Sequence, residues 1–274
     1  METATIIQLG ETAPYFIPSD SICFDNGVIT AEIGTTADYE GYNFSKLIQH
    51  ISSIGSCGLY HCMGKDSKTF FLGEKLRIRR MSYKLKDGRM KVRGRNTIES
   101  ERKGKTMIEV YDCEDQLAYT YELDYHVFTE KAFQGIFEKH YNNTEGLEVC
   151  NRFPTVSCEG ITPESFTMHI GAFSKENCMG HFDNYPIVPA VYITNRLLEG
   201  IHQWLKSIND SSVLSFQVDS AEGFLLRGVP VDTDIEVKTE VFPLLNKLKM
   251  FRCTVMDSGQ NVYGIYLLTV EDVK

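Results

Sequence analysis

Twice along this chain an amphipathic helical stretch is followed by a run of short segments alternating in polarity, and that recurrence constrains the fold more than any other feature. The first stretch, about residues 44–60, puts Leu47, Ile48, Ile51, Ile54 and Leu59 on one side. The second, about 191–208, does the same with Val191, Ile193, Leu197, Leu198, Ile201, Trp204 and Leu205. Apolar residues three and four apart share one helix face, so each stretch must bury that face. Strand-like residues 21–24 and 28–33, joined by the turn pair Asn26-Gly27, precede the first helix, and 165–170 precede the second. Behind the first come 69–72, 75–79, 81–85, 89–95, 106–113 and 117–123; behind the second come 213–218, 221–227, 234–241, 248–255 and 261–270. Period-two alternation marks strands with one buried face, and Asp87-Gly88 and Asp257-Ser-Gly-Gln260 read as hairpin turns. The expected architecture is α+β, one helix wrapped by one curved antiparallel sheet in each half. Its expected parts are an N-terminal unit over 1–128, a linker helix over 129–146 and a C-terminal unit over 147–274.

The eight cysteines are scattered without a C-x-x-C pair, which points to reduced thiols and away from a disulfide frame or a zinc site. His61, His126, His140, His169 and His202 show no ligand spacing, so no metal is expected. The first residues, METATIIQLGETAPYF, have no basic n-region, and no stretch approaches the ~20 apolar residues of a membrane span; a cytoplasmic protein is expected. Net charge is −9, yet residues 75–105 hold thirteen Lys and Arg against three acids, a local +10. Such a segment is either the solvated face of surface strands or a docking patch for an acidic partner. Aromatic residues are sparse in it and no nucleic-acid motif appears, so nucleic acid is not the expected partner.

The most specific residues lie just before the second helix: Gly180-His181-Phe182-Asp183-Asn184-Tyr185-Pro186-Ile187-Val188-Pro189-Ala190-Val191. The prolines stiffen the loop and suit a helix start, where a missing N–H costs little. An imidazole is thereby set beside backbone N–H groups able to hold an oxyanion. The string resembles the Gly-His-Phe-x-x-x-Pro-x-x-Pro-Gly signature of the β-hydroxyacyl-ACP dehydratases, which have the hot dog fold. With the repeated order of elements, the chain resembles a double hot dog, two copies in tandem with a degenerate N-terminal one. The resemblance is specific only around residues 178–201.

That resemblance implies dehydration of a 3-hydroxyacyl thioester to the enoyl thioester. His181 would be the base and the N–H groups of Ala190 and Val191 the oxyanion site, with Tyr185, Pro186 and Pro189 shaping the tunnel entrance. The substrate would ride on the phosphopantetheine of an acyl carrier protein docked on Arg77, Arg79 and Arg80, with no other cofactor. The family's helix carboxylate falls on Asn195, which cannot donate a proton as an acid, and Glu199 lies one turn on. In paired hot dogs the His loop of one copy meets the helix of the other, which brings His50 forward as a candidate donor. The N-terminal loop, residues 38–43, lacks a His and both prolines, so one site per chain is expected. Two other readings stay open: thioester hydrolysis or isomerisation on the same fold, and a non-catalytic protein that binds an acyl chain or a partner. Homodimerisation is open as well.

Overall fold

The computed structural model describes residues 8–17, 21–64, 67–209, 215–245 and 247–273. Strands β1 (Cys23–Asp25) and β2 (Val28–Thr35) form the expected hairpin and lead through two 3-10 turns into helix α1 (Phe44–Met63). There follow β3 (Thr69–Arg80), β4 (Arg89–Ser100), β5 (Lys103–Tyr111) and β6 (Leu117–Thr129), then the short helix α2 (Glu130–Phe137). The second half runs β7 (Val156–Glu159), β8 (Ser165–Ile170), β9 (Ile187–Val188), α3 (Ala190–Asn209), β10 (Ser215–Leu225), β11 (Val229–Pro230), β12 (Ile235–Pro243), β13 (Leu248–Met256) and β14 (Val262–Val273).

Twelve strands make one sheet in the order β1-β2-β4-β5-β6-β3-β10-β14-β13-β12-β8-β7. Read outward from the central β3/β10 pair, both halves show the same order: the strand after the helix sits at the seam and the strands before it at the edge. β3 and β10 run antiparallel, with Ser220 opposite Arg79 and Phe224 opposite Lys75. The seam is held by backbone bonds, so the halves share one sheet.

Both long helices bury the faces their spacing predicts. Leu47, Ile48, Ile51, Ile54 and Leu59 of α1 and Val191, Ile193, Leu197, Leu198, Ile201, Trp204 and Leu205 of α3 belong to one continuous core. Each such side chain contributes about 1.5–3 kcal/mol on leaving water. α1 stops at Gly64, whose φ of +58° sits in the left-handed region that glycine tolerates. A second, smaller cluster of Phe70, Phe133, Phe137, Phe182 and Ile187 locks α2 beneath the loop that precedes α3. Phe133 stacks on Phe70 and meets Phe182 edge-on, with ring centroids 4.0 and 5.0 Å apart.

Strand boundaries depart from the sequence reading where bulges hide continuity. Segments 69–72 and 75–79 form one strand, with a register shift between Gly73 and Lys75, and the two segments spanning 213–227 form β10. Val213 and Leu214 lie outside the described residues. Residues 81–85 are not a strand. The Ser82 hydroxyl accepts from Lys84 N–H and from the Gln116 amide, and the Ser82 carbonyl accepts from Arg80, so local bonds replace a ladder. Among the described residues, no helix is long and apolar enough to cross a membrane.

Candidate active site

The loop carrying His181 is shaped by its own backbone and by the chain's N-terminal segment. His181 N–H donates to Cys178 O and Ile187 N–H returns to His181 O, closing the loop on itself. β9 pairs with β11, placing Val188 opposite Val229, and the Pro189 carbonyl accepts from Tyr192 and Ile193 as α3 begins. Residues 8–17 lie against this loop. Thr12 N–H donates to Gly180 O at 2.9 Å, Asp183 N–H donates to Gly10 O at 3.2 Å, and Lys68 pairs with Asp183 at 3.0 Å. Gly180, at φ +85°, is required here, because a Cβ would stand 2.3 Å from Thr12 O.

The His181 imidazole packs against two rings, Tyr15 and Phe182, each centroid 4.4 Å away. Its Nδ1 sits 2.9 Å from the Ile187 carbonyl, which can only accept, so Nδ1 carries the proton and Nε2 a lone pair. Burial pushes the imidazole pKa down to about 4, and the bond to Ile187 opposes that shift. At neutral pH the ring is an uncharged base.

His181 lines a cavity of about 150 Å³ together with Ala190, Val191 and Ile193 at the start of α3. An apolar hollow of that size accepts a benzene-sized molecule. Ala190 and Val191 open the helix, so their N–H groups are among those no helical carbonyl accepts. The far wall comes from the other half: Ser52 and Ser56 on α1, Leu123 and Tyr125 on β6. Residues 8–17 close the cavity with Tyr15 and with Glu11, whose carboxyl burial raises to a pKa of about 8. Arg227 and His126 also line the cavity, the arginine lying exposed over the Tyr263 ring.

Residues from both halves line the cavity, but not the ones the sequence predicts. α1 does face His181, but through Ser52 and Ser56. His50 points elsewhere, its Nδ1 2.6 Å from the Tyr39 hydroxyl, and is not in the cavity wall. Asn195 is absent from that wall too. Its amide donates to Tyr42 O and Ser45 Oγ, both at 3.0 Å, and its carbonyl accepts from Arg196. Asn195 therefore meets the N-terminal loop crosswise, in a separate hollow it lines with Gln49 and Tyr192. Glu199 is bound to Arg196 at 2.5 Å. Tyr185, Pro186 and Pro189 stay outside the wall, with Tyr185 packed on Phe133 and Tyr141.

The basic segment finds acids that a sequence count cannot see. Arg77 bonds Glu222 at 2.8 Å, Lys103 pairs with Glu74, and Lys105 with Glu122 and Asp124. Arg80 bonds Gln217 and lies over the Tyr83 and Tyr119 rings, while Arg79 is exposed on β3. Among the described residues, no group of three or more His, Cys, Asp or Glu could hold a metal ion.

Glu11 escaped the sequence reading. Leu9-Gly-Glu-Thr-Ala13 has the composition of an ordinary polar loop, and only tertiary contacts bury it.

No family model matches the sequence, and no curated protein matches it. Solved structures do match in shape. A 12:0-ACP thioesterase from Umbellularia californica superposes with a TM-score of 0.60 at 10% identity, over 92% of this chain and 100% of its own. An acyl-ACP thioesterase from Bacteroides thetaiotaomicron gives 0.55 at 11% identity, over 90% and 98%. A conserved protein with hot dog fold from Alicyclobacillus acidocaldarius gives 0.52 at 7%, over 96% and 99%. The chain has the hot dog fold. At these identities the likeness establishes the fold alone.

Proposed function

We propose that this protein is an acyl-thioester enzyme that removes water from a 3-hydroxyacyl thioester. One observation carries the reading: an uncharged imidazole, its Nδ1 held by the Ile187 carbonyl, lines a small, mostly apolar cavity that opens at a helix N-terminus. In this reading the chain is a double hot dog with units 1–128 and 147–274 joined by 129–146, and the C-terminal unit supplies the His loop. The thioester oxygen lies against the N–H groups of Ala190 and Val191, where the helix dipole favours negative charge. His181 Nε2 takes the proton alpha to the carbonyl, and charge gathers on the held oxygen. The C3–O bond then breaks, the hydroxyl leaves as water and an enoyl thioester remains.

The acyl group reaches the cavity on a phosphopantetheine arm, and Arg77, Arg79 and Arg80 are the proposed contact for an acidic carrier protein. Hydrolysis is the second reading, because two of the proteins similar in shape are thioesterases. In that reading His181 is the base that activates a water, because Glu11, the one acidic residue lining the cavity among the described residues, keeps its proton at neutral pH.

The test is mass spectrometry of the product formed from 3-hydroxybutyryl pantetheine thioester by wild type and by His181→Ala. Crotonyl thioester from wild type and none from the variant is expected. Free 3-hydroxybutyrate would make the protein a thioesterase. Binding without turnover would make it a carrier of acyl chains.

A further inference from the structure

Dehydration needs two proton transfers, and His181 serves only one. The departing oxygen requires a donor, since hydroxide is a poor leaving group in an apolar cavity. Neither Asn195 nor His50 reaches the site. We propose that Glu11, held in the wall of the same cavity by a segment hydrogen-bonded to the His loop, is the acid that protonates the leaving hydroxyl. The inference rests on the dehydratase reading above.

Several independent features place and tune this carboxyl. The Gly10 N–H donates to Thr69 O and the Thr69 N–H to Gln8 O, which ties the segment to β3 as a short parallel bridge. Beyond Glu11, Thr12 is bonded to Gly180, and Gln49 of α1 donates its amide to Tyr15 O at 2.6 Å. The backbone on both sides of Glu11 is therefore fixed to three different elements, which a mobile loop acid would lack. A Cβ on Gly10 would stand 2.1 Å from the Phe70 ring, so the chain runs directly against the aromatic cluster beneath the His loop.

Around the carboxyl stand Tyr15 from its own segment, Tyr121 and Tyr125 from β6, and Cys57 from α1, each of which feels its charge. His181 lines the same cavity. None of these is a cation at neutral pH; Arg227 and His126 also line the cavity, the arginine exposed over the Tyr263 ring and His126 beside Glu74, and burial keeps the proton on Glu11. The phenols hold their protons far more tightly than the carboxyl, and the Tyr125 hydroxyl is already donated to Ser52 O. Of the groups named around it, Glu11 is the one protonated at neutral pH yet able to give the proton up.

The step balances. The C2–H pair becomes the C2=C3 bond, the C3–O pair leaves on oxygen, and the Glu11 proton completes a water molecule. Glu11 is left as carboxylate and His181 as imidazolium, and transfer of one proton between them, through the water in the cavity, restores both. The arrangement separates base and acid onto different parts of the chain, the imidazole on the loop before α3 and the carboxyl on the N-terminal segment.

A leaving group that needs no proton isolates the role. Wild type and Glu11→Gln are compared on 3-hydroxybutyryl and 3-chlorobutyryl pantetheine thioesters. Glu11→Gln is expected to lose about 100-fold or more on the hydroxy substrate, the usual size of a general-acid contribution. Chloride elimination, which requires only His181 and the helix N-terminus, is expected to survive in the same variant and to vanish in His181→Ala. Equal losses on both substrates would overturn the inference, because they would mean that Glu11 merely supports the fold. No loss on the hydroxy substrate would overturn it too. A wild type that forms no enoyl product from either thioester would overturn the dehydratase reading and this inference with it.

Discussion

Replacing Glu11 with Gln should stabilise the protein in alkali and leave it nearly unchanged in acid. The buried carboxyl titrates near 8 in the folded chain against an ordinary value of 4.5. A group whose pKa folding raises contributes its full stability below the unfolded value and loses it as pH climbs through the folded one. Between about pH 4.5 and 8 the unfolded chain has given up a proton that the folded chain still holds, so stability falls as pH rises. At ~1.36 kcal/mol per pH unit, the whole interval amounts to an upper bound of about 5 kcal/mol. Gln has the same shape and no charge to bury, so the variant escapes that loss. His181 pulls the opposite way, its contribution present above its ordinary pKa and lost as pH falls through about 4. It is common to both proteins and cancels in the difference. For a chain of this size ~1 kcal/mol moves Tm by about 2–4 °C. Thermal unfolding followed by circular dichroism at pH 5, 7 and 9 should show the variant gaining on wild type by about 10 °C at pH 9 and by little at pH 5. Parallel curves, with the same difference at every pH, would show that Glu11 is not held protonated and would refute the reasoning.

Other perturbations probe the surrounding structure. Gly180→Ala forces a Cβ into Thr12 O at a φ of +85°; a loss of about 2 kcal/mol is expected, read as a lower Tm together with reduced turnover. Asn195→Asp turns a donor facing the Tyr42 carbonyl and Ser45 into an acceptor. It should cost about 1–3 kcal/mol by denaturant titration and give no gain in dehydration, whereas a gain would return the helix position to the mechanism. His50→Phe removes the bond to Tyr39 and should leave kcat/KM within about threefold of wild type, since His50 does not reach the cavity. Reversing charge at Arg77, Arg79 and Arg80 should raise KM for substrate on a carrier protein and leave small pantetheine thioesters alone; equal effects on both would remove the docking surface.

The helices and the His loop were legible because local chemistry dictates them. Apolar residues at helical spacing placed α1 and α3, and the two prolines placed the start of α3 beside His181. What the sequence could not disclose depends on contacts made far along the chain. Strand β3 reads as two pieces because a bulge at Gly73 breaks the alternation, while the pairing with β6 on either side keeps it whole. Part of the charge excess over residues 75–105 is answered by Glu222, Glu122 and Asp124 from other strands, which a count along the sequence cannot show. The donor was sought on α1, and the helix indeed faces His181, but its rotation about its axis turns Ser52 and Ser56 into the cavity and His50 toward Tyr39. Helix rotation to within one residue is set by packing. Glu11 had no pattern to announce it, because an acid between Gly10 and Thr12 becomes special only when the His loop and β3 bury it.

The pH dependence of kcat/KM for 3-hydroxybutyryl pantetheine thioester tests most directly whether an uncharged imidazole and a protonated carboxyl work together in this cavity. That ratio reports the ionisations of the free enzyme. The expected profile is a broad plateau, falling on the acid side as His181 gains a proton near pH 4 and on the alkaline side as Glu11 loses one near pH 8. The alkaline limb should disappear in Glu11→Gln. A rate that keeps rising through pH 8, or an alkaline limb unchanged in that variant, would contradict the account.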